Sequence, residues 1–151
     1  MYQIMIYRIF LAGLLAVLAF QVEAQQKQEP WKPGQLMATK VLADRILAGK
    51  AENMLIVSIG PDDPIEGSID IGPGKDKESI AALKSLLGKT PKDKEVVIYC
   101  GCCPFDRCPN IRPAFKLMND MGFKNAKLLD IPRNIKVDWI DKDYPVKEEE
   151  N

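Results

Sequence analysis

Four cysteines fall within nine residues: Cys100, Cys102, Cys103 and Cys108. Any thiol chemistry in this chain is therefore confined to one place. There is no histidine, which excludes Ser-His-Asp and Cys-His catalysis, a histidine general base and a Cys₂His₂ zinc site. A reactive cysteine here must be activated by thiols, backbone amides or arginine alone.

The segment Val96-Val-Ile-Tyr-Cys100 reads as an apolar strand running straight into a cysteine. A loop of nine residues, Gly101 to Pro109, follows. A helix then begins, with Asn110 as N-cap and Pro113 in the first turn, where its missing N–H costs little. A cysteine at a strand end facing a helix N-terminus gains twice. Backbone N–H groups and the helix dipole stabilise the thiolate. The same donors bind a sulfur oxyanion or another anionic substrate. Arg107 and Arg112 add positive charge nearby.

Three readings of the loop stand open. In the first, Cys100 is a nucleophile that accepts sulfane sulfur, and Cys102, Cys103 or Cys108 resolves the persulfide as a disulfide. No cofactor is required. In the second, the Cys-x-Cys-Cys-x₄-Cys run supplies soft thiolates for Cu(I) or Zn(II), although the paired Cys-x₂-Cys spacing of structural zinc sites is absent. In the third, disulfides such as Cys102 or Cys103 with Cys108 staple a non-catalytic binding module. A phosphatase-like Cys-x₅-Arg arrangement fits poorly, since six residues separate Cys100 from Arg107. Asp106 is then a turn residue rather than a general acid. Phe105, at the loop tip, either shields the thiol or packs within the loop.

The surrounding elements follow from apolar patterning and turn residues. Thr39 is expected to cap a helix with Val41, Leu42, Ile46 and Leu47 on one face, ended by Gly49. Met54 to Ile59 and Glu95 to Cys100 are near-continuous apolar runs of strand length, as buried parallel strands require. Ser68 to Ile71 reads as a short strand. Asp76 to Leu87 is a helix with Ile80, Leu83, Leu86 and Leu87 inward. Asn110 to Met121 is a helix with Phe115, Leu117, Met118 and Met121 on its apolar face, and Ala126 to Leu129 is a further strand. Trp139 is placed over the sheet edge. Strands alternating with helices predict βαβ units and a mostly parallel α/β sheet, whose active crevice lies at the carboxyl ends of the strands. The cysteines are there.

The ends of the chain read differently. Arg8 precedes an apolar run from Ile9 to Phe20, then Val22-x-Ala24 fits a leader-peptidase site. The run is short for a membrane span, which needs about 20 residues. Residues 1–24 are expected to be a cleaved signal peptide, with an uncleaved anchor as the alternative, 25–34 a linker with Trp31 docking on the domain, 35–146 the domain, and 147–151 a disordered tail. The protein is then exported, with no membrane attachment after cleavage, and monomeric. With 21 basic and 21 acidic side chains and a pI near 6.3, nucleic acid is not an expected partner.

One family accounts for this pattern. Strand-Tyr99-Cys100-loop-helix, then Met121-Gly-Phe123, Leu128-Leu-Asp130, Trp139 and Tyr144-Pro-Val146 resembles the C-terminal half of a rhodanese domain. The resemblance runs from about Gln35 to Val146. It implies a five-stranded, mainly parallel sheet with helices on both faces. It also implies that Cys100 is the sulfur-accepting nucleophile, with thiosulfate-like donors and a thiol, cyanide or thiol protein as acceptor. The substrate cradle would comprise Gly101, Cys102, Cys103, Phe105, Asp106, Arg107, Cys108, Asn110 and Arg112. Departures are equally clear. Ser58, Gly60 and Pro64 stand where the family usually has Asp, Arg and His, and the loop is longer than the common form. The extended Cys-Gly-Cys-Cys-Pro-Phe-Asp-x-Cys-Pro-Asn loop is similar to that of exported single-domain rhodanese-like proteins.

Overall fold

A computed structural model describes residues 29–148. The expected leader (1–24) and the last residues of the expected tail lie outside them. Five strands form one sheet: β1 (Leu36–Ala38), β2 (Met54–Ser58), β3 (Ser68–Asp70), β4 (Glu95–Tyr99) and β5 (Ala126–Asp130). Four helices accompany them: α1 (Thr39–Leu47), α2 (Lys77–Gly88), α3 (Ile111–Asp120) and the short α4 (Ile135–Asp138). The strand order is β1-β5-β4-β2-β3, and every pairing is parallel. The protein is thus α/β, with helices on both faces of the sheet, and β4 lies at its centre. Among the described residues no helix is long and apolar enough to cross a membrane.

Strand alternation divides the core in two. Along β4, Val96 and Ile98 face a layer built with Leu83 and Leu87 of α2 and Phe115 and Met118 of α3. Val97 and Tyr99 face the other layer, with Leu42 of α1, Ile135 of α4 and Trp139. A period of two sends Cys100, one residue beyond β4, to the α2–α3 side. The thiol is therefore placed by the strand itself, directly against the helix that follows its own loop.

One element went unread and three expectations are corrected. Leu36–Ala38 is an edge strand on β5, in register Leu36↔Leu128; three residues are too few to show a period. Ala38, not Thr39, occupies the N-cap of α1, and it makes no side-chain cap bond. Val41 and Leu47 of that helix are exposed, whereas Ala43 joins Leu42 inside. Trp139 is not at a sheet edge; it is wholly buried in the second layer. Its indole N–H donates to the Pro145 carbonyl at 2.9 Å, and Tyr144 packs edge-on against its ring.

Two ends of the domain are strapped rather than loose. Residues 29–34 lie against α3: the Pro30 carbonyl accepts from Asn119, and the Trp31 ring packs on Phe115 and Phe105. Near the C-terminus, Ile65 and Val146 form an antiparallel bridge, and the Lys147 N–H donates to the Pro64 carbonyl.

Candidate functional site

The loop after β4 is a compact structure. Its carbonyl at Gly101 accepts from Ile135 N–H at 2.8 Å, and Phe105 N–H donates to the Ile131 carbonyl at 3.1 Å. Turns close within it from Arg107 N–H to Pro104 and from Cys108 N–H to Phe105. The loop is thereby pinned to the segment after β5. Gly101 is obligatory for that contact, since a Cβ there would stand 2.5 Å from Cβ of Ile135.

Inside the loop, Cys100 is 1% exposed. Its Sγ lies 3.3 Å from Asn110 Nδ2 and 3.3 Å from the Cys102 Sγ. The Asn110 amide donates to it, the Cys102 thiol faces it, and the Cys108 thiol lies within 4.8 Å. These groups, Cys108 foremost, outweigh the opposing effect of burial and hold Cys100 down at about 5, against an ordinary 9.0. The neighbours shift the other way. Burial and the adjacent Cys103 and Cys100 push Cys102 up to about 12. Cys108 is pushed up by its bond to Cys100 and by burial. At neutral pH the cluster thus holds one negative charge on Cys100 and keeps its protons on Cys102 and Cys108.

Asn110 stands at the N-cap of α3, as expected, but its side chain does not cap the helix. It is buried, donates through Nδ2 to Cys100 and accepts through Oδ1 from the Lys75 N–H at 3.2 Å. The arginines also differ from expectation. Arg112 pairs with Glu29 at 2.6 Å, donates to the carbonyls of Asp106 and Cys108, and lies over the Trp31 ring. It braces the loop from behind and is not among the groups that polarise Cys100. Arg107 and Asp106 are exposed, and Arg107 is likewise absent from those groups. Phe105 packs on Trp31, with centroids 6.2 Å apart.

Two contributors had no local sequence signal. Glu29 reaches Arg112 across 83 positions. Gly60, noted in the sequence only as a missing arginine, abuts the thiol: a Cβ on it would lie 2.9 Å from Cys100 Sγ. Ser58, in place of the usual aspartate, is buried and donates to the Asp62 carbonyl at 2.9 Å. All four cysteines are free thiols. Three of them, Cys100, Cys102 and Cys108, bring their Sγ atoms within 4.8 Å of one another. Cys103 lies 3.1 Å from Cys102 but is outside that trio.

No protein-family model matches the chain, and no curated protein is significantly similar to it. The functional reading therefore rests on the site itself.

Proposed function

We propose that the chain is a rhodanese-like sulfur carrier in which Cys100 accepts sulfane sulfur. The observation that carries this reading is the convergence on Cys100 Sγ of the Asn110 amide and the Cys102 thiol, each at 3.3 Å, with the Cys108 thiol within 4.8 Å. A thiolate held this way is ionised before any substrate arrives, so no base is needed. In the first step the Cys100 thiolate attacks the outer sulfur of a donor such as thiosulfate. A new S–S bond forms, the donor S–S bond breaks, and sulfite departs with the electron pair. In the second step a thiolate or cyanide attacks the terminal persulfide sulfur, and Cys100 leaves as the thiolate it was. Both steps are displacements at sulfur. The amides and thiols that held the first thiolate then hold the persulfide anion.

Burial adds a requirement. Cys100 is buried and its neighbour Cys102 is exposed, so a donor needs the loop Gly101–Pro109 to open before it can reach the thiolate. The leader-like residues 1–24 support placing this chemistry outside the cytoplasm. The test is intact-mass spectrometry after incubation with thiosulfate or polysulfide. The wild type gains the mass of one sulfur, mapped to Cys100, and Cys100→Ser gains none. A Cys100→Ser protein that still takes up sulfur overturns the reading.

A further inference from the structure

The sulfur-transfer reading uses one sulfur atom, yet three converge. Cys100 enters from the end of β4, Cys102 from the start of the loop and Cys108 from its far end, just before α3. An ion bound by three thiolates at about 2.3 Å holds its sulfurs about 4.0 Å apart in a plane. The three Sγ atoms already lie within 4.8 Å of one another, and the Cys100–Cys102 pair, at 3.3 Å, needs to open by only several tenths of an ångström.

We propose that Cys100, Cys102 and Cys108 form a three-thiolate site for Cu(I), a second function of the loop that does not depend on sulfur transfer. The ligand set is wholly soft, which selects against Mg(II), Ca(II) and other oxygen-seeking ions. Zn(II) takes four ligands in closed sites. No imidazole exists in the chain to be the fourth, no carboxylate belongs to the cluster, and Cys103 falls outside it. Cu(I) is satisfied by three. Cys100 and Cys108 belong to the apolar layer beneath the loop, so water is excluded from two of the three ligands. Cys102 is exposed and provides the entry point. The balance is simple: Cu(I) joins one thiolate and two thiols, two protons leave to water, and the complex carries two negative charges. The Asn110 side-chain amide faces the Cys100 sulfur at 3.3 Å. No oxidation state changes. Occupancy by Cu(I) and acceptance of sulfur at Cys100 compete, because both need the Cys100 sulfur in a buried site with no room for a second electrophile.

The experiment is an anaerobic Cu(I) titration of the reduced full chain against a chromogenic Cu(I) chelator, with Zn(II) as a comparison arm. One equivalent is expected in the wild type and in Cys103→Ser. Affinity should fall more than about a hundredfold in Cys108→Ser, beyond the roughly ten- to hundredfold loss that outer-sphere changes already cause. Because Cys108 is buried, Cys102→Ser at the exposed ligand repeats the test without disturbing the core, with the same loss expected. Copper-loaded wild type should take up no sulfur from thiosulfate, while the metal-free wild type separately tests sulfur acceptance. Wild-type affinity in Cys102→Ser, tighter binding of Zn(II) than Cu(I), or sulfur uptake by the copper-loaded protein would each overturn the proposal.

Discussion

Asn110 Nδ2 lies 3.3 Å from Cys100 Sγ while Oδ1 of the same amide holds the Lys75 N–H. One buried side chain thus ties the thiolate to the segment leading into α2. Hydrogen bonds to a charged group contribute about 1.5–3 kcal/mol, and one pKa unit corresponds to about 1.4 kcal/mol. In the metal-free protein, Asn110→Ala should raise the Cys100 pKa by about one to two units. The change is read from thiolate ultraviolet absorbance against pH. An unmoved midpoint would remove Asn110 from the account.

The pH profile of the wild type follows from the same donors. The folded pKa is lowered from 9.0 to about 5, so the thiolate is the majority form above about pH 5. Alkylation of the metal-free protein at Cys100 should be flat through neutral pH and decline as pH drops through about 5. Alkylation that rises only near pH 9 would mean that the donors do not hold the charge. Cys102, pushed up to about 12, should alkylate far more slowly at neutral pH although it is the exposed one.

Gly60 leaves the space that Sγ fills. Gly60→Ala inserts a methyl 2.9 Å from that sulfur and 3.3 Å from the Gly101 nitrogen. Overpacking of this kind costs about 1–3 kcal/mol. Thermal unfolding should shift accordingly, and single-turnover sulfur uptake should slow. A variant as stable and as reactive as wild type would show that the loop yields freely.

Arg112 holds the loop carbonyls of Asp106 and Cys108 against Glu29 and Trp31. Arg112→Ala leaves the half-buried Glu29 without its partner and should destabilise by about 1–3 kcal/mol. Amide exchange in Gly101–Pro109 should accelerate more than in α2. Uniform acceleration across the domain would deny Arg112 a local role.

Tyr99 precedes the nucleophile but faces the opposite layer. Its hydroxyl donates to Asp63 at 2.7 Å and contacts Ser68 at 3.2 Å, and burial raises its pKa well above 10. Tyr99→Phe should cost about 1 kcal/mol through the lost bond. The Cys100 ionisation midpoint should stay where it is. A moved midpoint would couple the two faces of the sheet.

Much of this architecture is legible in the amino-acid sequence. The runs at Met54 and Glu95 are apolar on both faces because the strands are covered on both, and Cys100 is placed by counting along β4. The edge strand Leu36–Ala38 was not legible, because its partner lies far along the chain and three residues carry no period. At the site, Asn110 was legible as the N-cap position of α3, but its side chain makes no cap bond. Capping preference is a local property, and the amide instead spends its bonds on Lys75 N–H, 35 positions away, and on a thiol. Arg112 was placed near the loop correctly but assigned to the sulfur. Its actual partner, Glu29, has no sequence relation to it.

The pairing of β1 with β5 has a consequence in time. The first strand meets a strand from near the other end of the domain, and the bond from Gln35 to the Ala126 carbonyl closes 91 positions. Contacts of such separation form late, because the entropy of closing the long loop is lost before the contact is gained. The loop, meanwhile, is anchored by Ile131 and Ile135, which follow β5. A nascent or refolding chain therefore passes through a stage in which four cysteines are unshielded and free to pair at random. Refolding yield should depend on keeping those thiols reduced until the last strand has docked.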